Sequence, residues 1–164
     1  MLLPPSWNIR PIEKADNKEL AIVLREVLLE MGVPKKGTAY ADPELDTMFE
    51  AYDFEKACYW VVEKGGVLYG GAGIAKLNNG PLGVCELQKM YFLLQARGQG
   101  LGSAMMKICL DTAISFGFNK CYLETMPNMS DAQKCYQKFG FLYLDSPMGN
   151  TGHFSCPVWM LKDL

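Results

Sequence analysis

Histidine occurs once in these 164 residues, and no Cys-x-x-Cys pair is present. Zinc sites need three or four closely spaced ligands, so His153-x-x-Cys156 is half a metal site without its other half, and no metal is expected. Neither sign of charge dominates: 16 basic side chains stand against 18 acidic ones, for a formal net charge of −2 and a pI of about 5.4. Only Lys35 and Lys36 are adjacent in sequence. Without a basic patch, neither nucleic acid nor an anionic membrane surface is expected as a partner. No apolar run approaches the roughly 20 residues of a spanning helix, and Met1-Leu-Leu-Pro-Pro lacks the basic leader and apolar core of a secretory signal. Repeats, linkers and low-complexity tracts are missing as well.

What is there suits a globular fold. Apolar residues make up 49% and charged ones 21% of the chain, enough for one domain over residues 1–164 with a sizeable core. The six cysteines fall mostly inside predicted strands or helices with apolar neighbours, which reads as buried thiols in a reducing cytoplasm.

Periodicity orders the elements. Residues 7–12 read as an edge strand that tolerates Pro11. Asp16 caps a helix to about Met31, with Leu20, Val23, Leu24, Val27 and Leu28 on one face. A second helix follows Asp42-Pro43, runs through Leu45, Met48 and Phe49, and ends near Asp53. Strands over 58–62, 67–76 and 83–94 are joined by turn-rich connectors of the hairpin type. A helix from Leu101 to Phe116 stops at Gly117. A strand over 119–125, a helix over 130–139 and strands over 141–144 and 158–161 complete the chain. Strands followed by a β-α-β-α-β tail give a mixed sheet with helices on both faces.

The most informative stretch is Gln95-Ala-Arg-Gly-Gln-Gly-Leu-Gly-Ser103, between a strand and a helix. Gly98, Gly100 and Gly102 let the backbone approach a ligand closely, and the helix start offers unpaired N–H groups to an anion. A pyrophosphate suits such a turn. No lysine follows the last glycine, against a P-loop, and the Gly-x-Gly-x-Gly spacing is not the dinucleotide fingerprint, against a nicotinamide oxidoreductase.

Arg97-Gly98-Gln99-Gly100-Leu101-Gly102 resembles the Arg/Gln-x-x-Gly-x-Gly/Ala motif of the GNAT superfamily of acetyl-CoA-dependent N-acetyltransferases. Glu86-Leu-Gln-Lys-Met-Tyr-Phe92 looks like the strand leading into it, and Ala132-x-x-x-Tyr136-x-x-x-Gly140-Phe141 like the segment that follows. The pieces cover residues 83–143 in family order. Gly149-Asn-Thr-Gly-His-Phe-Ser-Cys156 also looks like a motif of bacterial members. Two positions depart from the pattern: Met129 stands where many members have asparagine, with Asn128 one residue earlier, and Leu94 replaces a common proline.

The resemblance implies an α/β (α+β) fold with a mixed, mostly antiparallel central sheet flanked by helices on both faces. It further implies acetyl transfer from acetyl-CoA directly to a primary amine of a small molecule or amino acid, by a monomer or homodimer. Gly98, Gln99, Gly100, Leu101, Gly102 and Ser103, with Arg97, would hold the pyrophosphate. Met90, Tyr91 and Phe92 would run beside the thioester, and Asn128 and Tyr136 beside the pantetheine arm. Tyr136 would protonate the departing thiolate, since a phenol stays protonated at pH 7; alternatively it is a core aromatic. Glu86 is the candidate base, or else a strand carboxylate paired with Lys89 or Lys76. His153 is a candidate on the substrate side because imidazole titrates near neutrality. Ser130-Asp-Ala-Gln133 fits a capping box, and Glu124 reads as an exposed strand-end carboxylate or else faces the acceptor amine. A CoA-binding sensor without turnover is the rival reading.

Overall fold

The structure, a computed structural model, describes residues 4–164. Seven strands form one sheet: β1 (Trp7–Pro11), β2 (Cys58–Lys64), β3 (Val67–Lys76), β4 (Val84–Phe92), β5 (Lys120–Thr125), β6 (Leu142–Leu144) and β7 (Val158–Asp163). Their order is β1-β2-β3-β4-β5-β7-β6. Only the central β4–β5 pair is parallel. The helices are α1 (Asn17–Glu30), α2 (Met48–Tyr52), α3 (Leu101–Ser115) and α4 (Ser130–Lys138). The mixed, mostly antiparallel sheet with helices on both faces is thus the fold the sequence implied.

Strand alternation divides the core between those faces. From β2, Trp60 and Val62 pack with Leu101, Met105 and Cys109 of α3 and with Tyr136 of α4. Tyr59 and Val61 pack on the other side with Leu20 and Leu24 of α1 and Met48 and Tyr52 of α2. All six thiols are free, Cys85, Cys109 and Cys121 buried and the other three half-buried. Among the described residues no helix is long and apolar enough to cross a membrane.

Several expected details differ. The helix after Asp42-Pro43 is split into a 3-10 turn, Pro43–Asp46, and the five-residue α2. Thr47 between them leaves helical geometry, and the Phe49 N–H donates instead to Asn17 Oδ1 at 2.8 Å. Leu45 and Met48 are wholly buried, so packing fixes both pieces without a continuous helix. Asp16 does not cap α1 with its side chain; its carboxylate accepts the Glu13 N–H and a bidentate pair from Arg10. The capping box at Ser130 is not formed. Met129 occupies the cap, and the Gln133 amide donates to the Met126 carbonyl at 2.8 Å.

Candidate functional site

β4 and β5 are paired only from Val84 opposite Lys120 to Glu86 opposite Tyr122. Beyond that they diverge. The cause lies in β4, where Lys89 and Met90 together oppose the single residue Ala72 of β3, and Lys89 takes a left-handed φ of 49°. Such a bulge bends the strand and turns its next residues away from regular pairing. The splay exposes Met90, Tyr91 and Phe92 to a cavity of about 550 Å³, which continues past Arg97, Gly98 and Gly102 to Asn128 and Tyr136.

The glycine turn closes one end of this cavity. Gly98 and Gly100 have φ of 71° and 79°, and a Cβ on either would meet nothing within 4 Å. Among the described residues, no N–H from Gly98 through Ser103 donates to a protein acceptor. The turn therefore offers a cluster of free donors at the start of α3, where the helix dipole also favours an anion. A cavity of this size ending in such a turn fits a long, pyrophosphate-bearing cofactor.

A sequence profile of the Acetyltransferase (GNAT) family matches residues 25–141. The chain belongs to the GNAT acetyltransferases. It is 40% identical to the Escherichia coli (strain K12) protein YjgM, described as an uncharacterized N-acetyltransferase, over 99% of this chain and 98% of that one. In fold it resembles a GNAT acetyltransferase from Staphylococcus aureus Mu50, with a TM-score of 0.85, 18% identity, and coverage of 96% of this chain and 99% of that one. It also resembles YncA of Salmonella typhimurium, solved with acetyl-CoA, with a TM-score of 0.75, 19% identity, and coverage of 97% and 94%. GNAT acetyltransferases draw their acetyl group from acetyl-CoA, and this chain is an acyltransferase of that kind.

Not every residue expected at the cofactor lends its side chain to the cavity of this GNAT domain. Leu101 is wholly buried in the core. The Gln99 side chain accepts from Trp7 Nε1 at 2.8 Å and donates to the Gln95 carbonyl at 2.6 Å, tying β1 to the turn. The Arg97 guanidinium pairs with both oxygens of Glu30 at 2.8 Å and donates to the Phe92 carbonyl, so it braces the loop. Asn128 borders the cavity but spends its amide on the Met31 carbonyl at the end of α1.

Tyr136 is 7% exposed. Burial pushes its pKa above that of a free phenol, and among the described residues its hydroxyl makes no hydrogen bond. It lines both the long cavity and a small one of about 30 Å³ in the splay, whose walls include Leu87, Lys89, Tyr91, Glu124 and Cys156. Tyr136 thus sits where the two spaces meet.

The second group of candidates gathers on the α1–α2 side of β4. Glu86 is 4% exposed, and its partner is neither Lys89 nor Lys76. Gln88 Nε2 donates to its Oε2 at 2.7 Å, and the Gln88 oxygen accepts from the Tyr52 hydroxyl. Burial raises the Glu86 pKa to about 7, against the pull of Gln88 and of the charge on His153. Lys89 instead pairs with Asp42 at 2.8 Å and Glu44 at 3.3 Å. Burial disfavours its charge, yet the two carboxylates outweigh burial and hold its pKa above the usual lysine value.

His153 Nε2 lies 3.0 and 3.1 Å from the two oxygens of the same Asp42. Here too burial opposes the charge and Asp42 outweighs it, so the imidazole pKa is raised. Glu86, Glu124 and His153 each bring a ligand-type atom to within 4.8 Å of the others. The residue that clusters with His153 is therefore not Cys156, whose burial pushes its thiol up to about 12. Asp42 was missed in the sequence because an Asp-Pro at a helix start carries only a local signal, and its partners lie 47 and 111 positions away in sequence.

Proposed function

We propose that the chain transfers the acetyl group of acetyl-CoA directly to the primary amine of a small molecule. The observation that carries this reading is the junction at Tyr136, where a cavity ending in free backbone donors meets a splay walled by Glu124 with Glu86 beside it. The N–H groups of residues 98–103 would hold the pyrophosphate, with Met90, Tyr91 and Phe92 beside the pantetheine arm. Acetyl-CoA supplies a thioester whose C–S bond breaks as the C–N bond to the amine forms.

The chain's own groups handle the protons. Glu86 Oε1, which meets no donor among the described residues, takes the proton from the acceptor ammonium. With a pKa near 7 it is ionised in an adequate fraction at neutral pH and still a useful base. The Tyr136 hydroxyl, protonated at any physiological pH, would donate to the departing thiolate at the cavity junction and be reprotonated by the second proton that the nitrogen loses as it becomes an amide. Main-chain N–H groups of β4 in the splay would polarise the reacting carbonyl. His153, held by Asp42, sets the charge beside Glu86.

The test is a melting series with acetyl-CoA, CoA and NAD, followed by thiol release over an amine panel. A ligand present at a hundred times its Kd stabilises by about 2.7 kcal/mol. Stabilisation by the CoA forms but not NAD, with thiol release dependent on amine, is expected. Stabilisation without thiol release from any amine would make the chain a CoA sensor, and no stabilisation would leave the glycine turn without a ligand.

A further inference from the structure

The acceptor end of the site holds carboxylates without cations to match. Its positive groups, Lys89 and His153, are both committed to Asp42, with Glu44 as a second partner of Lys89. The three arginines of the chain are engaged elsewhere: Arg10 with Asp16 and Glu63, Arg25 with Asp46, and Arg97 with Glu30. Among the described residues, neither cation inside this cluster is left unpaired to receive an anionic substituent of a substrate.

Glu124 and Glu86 are the reverse case. Glu124 accepts from the Tyr122 hydroxyl and the Thr151 hydroxyl, each at 2.7 Å, and both donors are neutral. Glu86 accepts only from the Gln88 amide, and its other oxygen meets no donor. Neither carboxylate forms an ion pair among the described residues, although the two approach each other within 4.8 Å. His153 stands within the same 4.8 Å, but it and Lys89 are the two cations of a cluster that holds four carboxylates, Asp42, Glu44, Glu86 and Glu124, and that surplus favours a further cation beside Glu86 and Glu124. Glu124 also walls the small cavity next to Tyr136, so that cation would arrive at the acetyl end.

We propose that the acceptor is an alkyl amine with no carboxylate beside its amino group, its ammonium held between Glu86 and Glu124. The α-carboxylate of an amino acid would meet this surplus of negative charge with no partner, and like charges in a desolvated site select against it. Glu124 is then a residue that determines specificity. The inference rests on the amine-acetylation reading but makes a separate claim about charge.

Matched monoamines test it: norleucine against pentylamine, which differs only by the α-carboxylate, with norleucine amide as the neutral control. Thiol release is measured with acetyl-CoA, and binding of each amine to the CoA complex by calorimetry. Pentylamine is expected to exceed norleucine by at least about 10-fold in both, with norleucine amide close to pentylamine. Glu124→Gln is expected to weaken pentylamine binding about 10-fold and to narrow the ratio, while keeping the melting shift with CoA that shows it folded. Equal or stronger binding of norleucine, or no binding of any of the three, overturns the proposal. If the binding order holds without thiol release, the transfer reading fails and the charge selectivity stands. Micromolar binding of Zn²⁺ or Mn²⁺ that Glu124→Gln abolishes would make the cluster a metal site and also overturn it.

Discussion

The two ends of the site are made of different material. The cofactor end is backbone: a bulged strand, a glycine turn and a helix start, contributed mainly by residues 90–103 and 128–136. The acceptor end is side chain: Asp42, Glu86, Lys89, Glu124 and His153, from a loop, two strands and a second loop, much of it ionised and half or fully buried. Main-chain donors keep their chemistry whatever the pH. Buried carboxylates and imidazoles do not, so on the proposed reading substrate choice and pH dependence belong to the acceptor end, while anchoring of the cofactor is insensitive to both.

The sharpest break in that division comes at Tyr136, which touches both spaces. Tyr136→Phe is expected to lower kcat by about 100-fold or more, in the range of general acid loss, while the melting shift with acetyl-CoA survives. Loss of that shift instead would assign Tyr136 to anchoring alone.

Glu86 tests the acceptor end through both activity and stability. As Glu86 loses its proton, kcat/KM should rise through pH 7, and Glu86→Gln should remove that limb along with most turnover. Stability should move the other way. The carboxyl pKa is about 7 in the fold against an ordinary value of 4.5, so the native state binds the proton more tightly than the unfolded chain does. Its contribution is therefore complete below pH 4.5 and is lost as pH rises through 7. Glu86→Gln escapes the cost of a buried charge and should be the more stable protein at pH 8, by up to about 3 kcal/mol. Equal stability at pH 8 in urea titrations would mean that Glu86 is solvated and titrates normally.

The same contrast explains what was legible in the sequence. The glycine turn, its strand and its helix are contiguous, and each local preference agrees with the next, so the glycine turn's setting and the succession of elements along the chain could be read directly. Tyr136 was reachable through its spacing to Gly140-Phe141. Local grammar misled where another partner won: Asn17 reached across 32 positions to cap α2, and Gln133 turned back to the Met126 carbonyl, seven positions away, in place of a capping box. Asp42 was invisible as a site residue for a related reason. It organises Lys89 and His153 only after the sheet has brought loop 37–47 and loop 145–157 together, where the Ser155 N–H donates to the Gly37 carbonyl at 2.9 Å.

A smaller effect separates binding from backbone strain at the cofactor end. Gly98 and Gly117 have φ of 71° and 84°, and a Cβ on either would meet nothing within 4 Å. Alanine at either should therefore cost about 1 kcal/mol of stability from the left-handed backbone alone. Only Gly98 lines the cavity. Gly98→Ala should raise the KM for acetyl-CoA about 10-fold, equivalent to about 1.4 kcal/mol, whereas Gly117→Ala should leave it unchanged. Matching kinetics for the two variants would reduce the glycine turn to a structural corner.

The least change in turnover, and the most direct view of the acceptor end, should come from Asp42→Asn. His153 is the only histidine of the chain, so in tag-free protein a single imidazole resonance reports its titration. In the wild type, burial works against the imidazolium, but the hydrogen bond and charge of Asp42 hold its pKa above the ordinary value of 6.5. The stability this contributes is complete below the unfolded pKa and is lost as pH rises through the higher folded one. Asparagine keeps a hydrogen bond and removes the charge, which leaves burial dominant. The imidazole midpoint should then fall below 6.5, and Lys89 should be left with Glu44 as its one remaining ion-pair partner. Its buried charge would then make Asp42→Asn less stable than wild type near neutral pH. An unmoved midpoint would show that His153 draws its charge from Glu86 and Glu124 instead, and Asp42 would cease to be the residue that joins the two loops into one acceptor site.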